Sequence, residues 1–285
     1  MNKSKKVKPT NSSSKSTGRN NSKNGYKNLK LASYPDPLLL WGRHAVTAAL
    51  ENPLRRIYEV FFTESNQDKI HALIKQGSFE LENGNTKFHV VPSKELAALL
   101  PENSVHQGIV AIVKPLEPEK LDYLINETRE NRTSFVVVLD QVTDPHNLGA
   151  VIRSAAAFSA DAIIVHDRST PRLDGVLGKA ASGALENISI IRIKNIARAI
   201  EQLKKNGFWC LGLSDSALND LSKLQIPTKT ALVLGAEGMG LRRLTRDTCD
   251  ELARLPTSSN FPTLNISNAA SISFYEIRRQ WPFLE

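Results

Sequence analysis

The run Ser134–Asp140 reads SFVVVLD, with no polar side chain from Phe135 to Leu139. A strand with one wet face alternates apolar and polar residues, so an unbroken run of this kind needs cover on both faces. Comparable runs recur at 161–165, 188–193, 208–213 and 231–235. Between them lie segments whose apolar residues recur at helical spacing, over 148–158, 173–185, 196–206 and 241–248. A short strand over 251–255 and a last helix over 267–280 complete the pattern. Strand–helix alternation on this scale predicts an α/β fold, a parallel sheet with helices on both faces.

A smaller α/β unit precedes it. An apolar leading segment at 38–40 runs into a helix with Val46, Ala49 and Leu50 on one side. A strand over 57–63, a helix over 67–76, a strand over 87–91, a helix over 93–100 that Ser93 caps, and a strand over 108–114 follow. The acidic stretch 116–130 reads as a partly helical connector. The expected organisation is a disordered basic tail over 1–36, a small domain over 37–115, a linker over 116–132 and the main domain over 133–285.

The net charge of +8 is unevenly spread. Nine of the 37 Lys and Arg lie in residues 1–30, which contain no Asp or Glu, leaving 28 basic against 29 acidic residues in the body. The tail is rich in Lys, Asn and Ser and nearly free of large apolar residues, so it cannot offset its ordering entropy by burial. Two readings stay open for it, an arm that grips phosphates and a solubilising extension. It lacks the apolar core of a secretory signal, and no later stretch is long enough to span a membrane. Cys210 and Cys249 are far apart and lack metal-type spacing, and Cys210 reads as core. A reducing, cytoplasmic location and a site without metal are expected.

The candidate chemistry sits in three loops that follow strands. In the first, LDQVTDPHNLGAVIRSAAAF (139–158), Asn147 is placed to cap the helix. Arg153 follows among Val151, Ile152, Ala155, Ala156 and Ala157, on a helix that reads as buried nearly all round, so its guanidinium needs a partner. In the second, GAEGMG (235–240) lacks the glycine spacing of a dinucleotide site, but Glu237 lies where a ligand can approach the backbone. The following Arg242 and Arg243 read as solvated helix residues or phosphate contacts. In the third loop, over 257–265, Asn265 and Ser267 are candidate caps for the last helix. The apolar face of that helix (Ala269, Ala270, Ile272, Phe274, Tyr275, Ile277) suits packing on the sheet or on a second subunit.

Taken in order, these segments resemble the three motifs of the SpoU-type RNA 2′-O-ribose methyltransferases. Asn147 and Arg153 match the first motif, Gly235 and Glu237 the second, and Leu255, Leu264 and Asn265 the third. SGALE (182–186) and YEIRRQ (275–280) fit as well. GRHAVTAAL (42–50) and HQGIVAIV (106–113) resemble the small RNA-recognition domain of members that modify guanosines of large-subunit ribosomal RNA. Thr257 and Ser259 stand where the family usually has Met and Gly. The resemblance implies a C-terminal trefoil knot, a homodimer and S-adenosylmethionine held by Gly235, Leu255 and Leu264. It further implies a centre in which Arg153 stabilises charge on the ribose 2′-oxygen, Glu237 and Asn147 hold Arg153 and the substrate in register, and Asn265 positions ribose or phosphate. The expected partner is large-subunit ribosomal RNA. A transfer-RNA methyltransferase and an RNA-binding relative without catalysis are the competing readings.

Overall fold

Two sheets divide the apolar strands between them. The structure is a computed structural model and describes residues 31–75, 86–128, 133–171, 175–260 and 263–281. Most of the basic tail (1–30) and the expected helix start at 173 lie outside the described residues.

The first sheet has four strands, β1 (Leu38–Trp41), β2 (Ile57–Phe62), β3 (Lys87–Val90) and β4 (Ile109–Val113), in the order β1-β4-β2-β3. β4 runs antiparallel to both neighbours, while β2 and β3 are parallel. Every residue of β4 is buried. One face packs against α1 (Arg43–Glu51) and α2 (Gln67–Lys75) through Val46, Leu50 and Ile70; the other receives α3 (Ser93–Ala98) through Leu96. Ser93 does not cap α3. Pro92 holds the cap position in an extended conformation, and its carbonyl accepts the Glu95 N–H at 2.9 Å. The φ that proline fixes already suits a helix start.

After α4 (Leu121–Glu127) comes a seven-stranded sheet. It is built from β5 (Ser134–Asp140), β6 (Ala162–His166), β7 (Ser189–Ile193), β8 (Trp209–Leu213), β9 (Asn219–Asp220), β10 (Lys229–Gly235) and β11 (Glu251–Arg254). The order is β7-β6-β5-β10-β8-β11-β9, and every ladder is parallel. One face is covered by α5 (Pro145–Ala157), α6 (Gly175–Ala181) and α9 (Ile266–Arg279), the other by α4 and α7 (Ile196–Lys205). From β5 the chain winds outward through β6 to β7, then builds the opposite half of the sheet. The order therefore reverses between β5 and β10, and in open α/β sheets ligands bind beyond the carboxyl ends of strands at such a point.

α6 is shorter than the expected 173–185. Ser182 (φ 50) and Gly183 (φ 90) enter the left-handed region and end it, and a 3₁₀ turn, Ala184–Glu186, follows. The helix is wedged between the two units. A Cβ on Gly175 would strike the Trp41 ring, one on Gly178 would meet the Leu40 side chain, and one on Gly149 of α5 would strike Ala180. Glycine here permits backbone approach that any side chain would block.

Candidate active site

The three loops meet above β5, β10 and β11, whose carboxyl ends point the same way. α5 starts earlier than the sequence suggests. Asp144 is its cap, accepting the His146 and Asn147 N–H groups at 3.2 Å each, and Pro145 is its first residue. Asp-Pro is a sequence signature for this arrangement, since proline loses nothing at the first helical position. Asn147 is therefore not the cap, and its side chain is free for another task.

That task is a bridge. Asn147 Nδ2 donates to Glu237 Oε2 at 3.2 Å, and Asn147 Oδ1 accepts from Asn265 Nδ2 at 3.0 Å. The polarity follows from Glu237: a carboxylate only accepts, so the Asn147 amide nitrogen must face it and the oxygen must face Asn265. Asn265 in turn caps α9, its Oδ1 accepting the Ser267 N–H at 2.9 Å and the Ser267 hydroxyl at 2.6 Å. Further along, the Ser271 hydroxyl donates to the Ser267 carbonyl at 2.9 Å and lies 2.8 Å from the Ser154 hydroxyl, tying α9 back to α5.

Glu237 is presented by a tight turn. Ala236 and Gly240 exchange backbone hydrogen bonds of 2.8 and 3.2 Å, with Gly238 (φ 80) and Gly240 (φ 64) in the left-handed region. Gly235 lies against the Gly240 backbone, where a Cβ would collide. Below the turn, Arg242 stands at the N-cap of a short helix and, although partly in solvent, turns its guanidinium onto a buried carboxylate. Its Nη2 and Nε lie 2.6 and 2.8 Å from Asp140 Oδ1, and its N–H donates to Asp140 Oδ2 at 3.2 Å. Asp140 is fully buried at the end of β5, so this ion pair pins the glycine loop to the neighbouring strand. It needs that partner because an unpaired buried carboxylate is very costly. Arg243 is more exposed still and lies 3.6 Å from Asp247.

Arg153 departs from expectation. α5 is not buried all round: Arg153 is exposed, and among the described residues its side chain bonds only Ser182, from Nη1 to Oγ at 3.5 Å. It makes no ion pair with Glu237. Helix geometry supplies the reason. Residues four apart share a face, so Arg153 continues the stripe of Gly149, which faces α6. Asn147 and Ser154 share a different stripe, which faces α9. Arg153 also lies about 9 Å further along the axis than Asn147.

Leu255 is half-buried against the main core, and Leu264 is 39% exposed. Thr257 and Ser259 are exposed in the same loop. Cys210 is buried and Cys249 half-buried; burial first, then the Asp250 charge, pushes both thiols up to about 12. Both thiols therefore stay neutral. Among the described residues no group of three or more His, Cys, Asp or Glu is placed to hold a metal.

The chain matches known proteins over most of its length. The model of the SpoU rRNA Methylase family matches residues 134–275, and that of the RNA 2′-O ribose methyltransferase substrate-binding domain matches 39–119. The chain is 38% identical over 247 residues to the 23S rRNA (guanosine-2′-O-)-methyltransferase RlmB of Salmonella typhimurium, covering 85% of this chain and 98% of that protein. The Escherichia coli K12 protein of the same name is 37% identical with the same coverage. Among solved structures, the SpoU methyltransferase AviRb from Streptomyces viridochromogenes in complex with AdoMet superposes with a TM-score of 0.70 at 21% identity. That match covers 90% of this chain and 94% of AviRb.

Proposed function

The chain belongs to the SpoU rRNA methylase family, and from that premise we propose that it methylates the ribose 2′-hydroxyl of a guanosine in large-subunit (23S-type) ribosomal RNA, with S-adenosylmethionine as donor. The similarity to the RlmB proteins over 98% of their length supports the substrate. The observation that carries the reading is the Glu237–Asn147–Asn265 chain at the carboxyl ends of β10, β5 and β11.

The residues present suit the cofactor. Leu255 and Leu264 give apolar surface to an adenine in an otherwise polar loop, and Gly235 lets the backbone close beside it. When bound, S-adenosylmethionine supplies a methyl group carried on a sulfonium and already open to attack. The protein's share is orientation and charge. Asn147, Glu237 and Asn265 hold one another in a fixed order, so they present fixed donors and acceptors to a ribose. Arg153 would stabilise the negative charge that grows on the 2′-oxygen as its proton leaves to water. A need for the 2′-hydroxyl selects RNA over DNA.

The two stripes of α5 bear on assembly. We infer a two-fold homodimer with α5 and α9 at the interface, so that Arg153 of one protomer completes the Asn147–Glu237–Asn265 group of the other. The expected trefoil knot belongs to the same reading, supported by the late strand β11 lying between β8 and β9, which are joined directly; a crystal structure of the full chain tests it. So does a cytoplasmic location, which cell fractionation tests.

The deciding experiment is single-turnover transfer of labelled methyl to a 23S rRNA fragment, with a 2′-deoxy substitution at the target as control. Wild type labels the ribose, and Arg153→Ala slows transfer about 100-fold or more while leaving cofactor binding within a few-fold. Near-normal turnover by Arg153→Ala removes Arg153 from the centre. Labelling of transfer RNA alone, or of no RNA, overturns the substrate or the activity respectively.

A further inference from the structure

Lys179 is held in an unusual way at the seam between the two units. It sits near the end of α6, where Ser182 folds back to donate its N–H to the Lys179 carbonyl at 3.2 Å, and Ser182 is the residue that Arg153 reaches. Its Nζ donates to Gln107 Oε1 at 2.6 Å, and the same oxygen accepts the Arg43 N–H at 3.0 Å. Gln107 and Arg43 belong to the N-terminal unit, and Arg43 directly follows Gly42. A Cβ on Gly42 would lie 2.5 Å from Lys179 Nζ and 2.8 Å from its Cδ, so the lysine stem runs directly over that glycine.

The ammonium is under-served in this setting. It has three donors and no acceptor, and among the described residues its one partner is a neutral amide. Among the described residues no carboxylate lies within salt-bridge distance of it. It is half-buried, and desolvation lowers its pKa below the ordinary lysine value with no charge to counter the effect. An anion arriving at Nζ would remove that penalty. Arg43 and Arg153, one from each unit, are both exposed, and each shares a neighbour with Lys179: Arg43 through Gln107 and Arg153 through Ser182. No acidic side chain is paired with either among the described residues.

We propose that Lys179, steered by Gln107, grips a phosphate flanking the target ribose and so sets the RNA backbone between the two units, with the 2′-oxygen at Arg153. This makes Lys179 a positioning residue for the substrate, and it rests on the reading of the chain as an RNA ribose methyltransferase. The chemistry recognised is a phosphodiester. A lysine serves it as a point charge, with Gln107 fixing where that charge stands.

The test is a chemical double-substitution cycle on the full-length protein. The probe is a 23S rRNA fragment that wild type methylates, with the phosphates on either side of the target ribose replaced one at a time by neutral methylphosphonates. Lys179→Gln should raise the half-saturating RNA concentration about tenfold, leave the saturated methyl-transfer rate within a few-fold, and leave S-adenosylmethionine affinity unchanged. It should also lower the log–log salt slope of RNA binding by about 0.7–0.9, the share of one phosphate contact. One methylphosphonate should weaken binding to wild type by a similar factor and add nothing further in Lys179→Gln. Lys179→Arg should recover most of the affinity, which a merely structural lysine packed over Gly42 would not. Additive losses at both flanking phosphates, or an unchanged salt slope, overturn the proposal while wild-type activity keeps the enzyme reading intact. If wild type methylates no RNA, the enzyme reading fails, and the salt slopes alone decide whether Lys179 meets a phosphate.

Discussion

At the scale of single residues, the pair Asp140–Arg242 makes the sharpest stability prediction. The carboxylate is fully buried, whereas the Arg242 side chain is 43% exposed. Removing the arginine leaves a buried charge with one backbone N–H; removing the aspartate leaves a guanidinium that water can solvate. Arg242→Ala should therefore cost about 3 kcal/mol of unfolding free energy, and Asp140→Ala clearly less. Urea melts of both variants and of the double variant check the order; equal losses would mean the pair is not the anchor of the glycine loop. The sequence hid this contact because its partners are 102 positions apart and Arg242 is followed by another arginine, a pattern that reads as a wet helix face. Asn147 and Arg153 show the same limit from the other side. Their presence was legible in the loop–helix pattern and in the family resemblance. Their partners depended on where α5 starts and on which stripe each residue occupies. The Asp144-Pro145 signature carries the first piece of information, and only the packing of α6 and α9 carries the second.

At the scale of elements, α5 and α9 carry the proposed dimer. Ile272 and Tyr275 of α9 are 47% and 58% exposed, and the Phe158 ring at the end of α5 packs edge-on against both Phe274 and Tyr275. Adjacent apolar side chains left in water on α9, beside the half-buried Phe158, mark an interaction surface. A two-fold axis through it would also bring Arg153 to the partner's Asn147 group. Sedimentation at micromolar concentration should show a dimer that Tyr275→Asp dissociates. Two inactive variants, Arg153→Ala and Glu237→Ala, should regain about a quarter of wild-type turnover when mixed and allowed to exchange, because half the dimers are then mixed and each carries one complete site of two. A stable wild-type monomer, or no recovery on mixing, rules the shared site out. The elements themselves were readable to within a few residues wherever a run was apolar and long, as at Ser134–Asp140. The two-residue strand β9 was not, because Asn219 and Asp220 have little strand preference and pair only once β11 is in place. α6 ended early because Gly183 and Ser182 turn left-handed, and helical periodicity does not register such a break.

At the scale of the whole molecule, a dry ion pair helps set how the N-terminal unit sits on the C-terminal one. Arg55, just before β2, donates through Nε to both oxygens of Glu186, through Nη2 to Oε1 at 2.6 Å, and through Nη1 to the Lys114 carbonyl at 2.8 Å. Asn52 Nδ2 adds a bond to Glu186 Oε2 at 2.8 Å. Both charged side chains are only 3% exposed, and the pair lies beside a cleft of about 150 Å³ lined by Leu54, Pro115, Leu185 and Ile190. SGALE, legible in the sequence only as a family-like segment, thus ends in the residue that joins the two units. A pair this dry, with its lone pairs met, adds little net stability over an apolar substitute, but breaking one side strands the other charge. Glu186→Ala should therefore cost about 3 kcal/mol, and Arg55→Met combined with Glu186→Leu should recover most of it. What the apolar pair cannot restore is direction, because a bidentate guanidinium–carboxylate contact fixes angle as well as distance. The double variant should then melt near wild type yet need more RNA for half-saturation, with S-adenosylmethionine affinity unchanged. Calorimetry and RNA titration separate the two effects. Two independent transitions in the wild-type melt would show that the units do not act as one body, and that Arg55–Glu186 sets no geometry for the substrate.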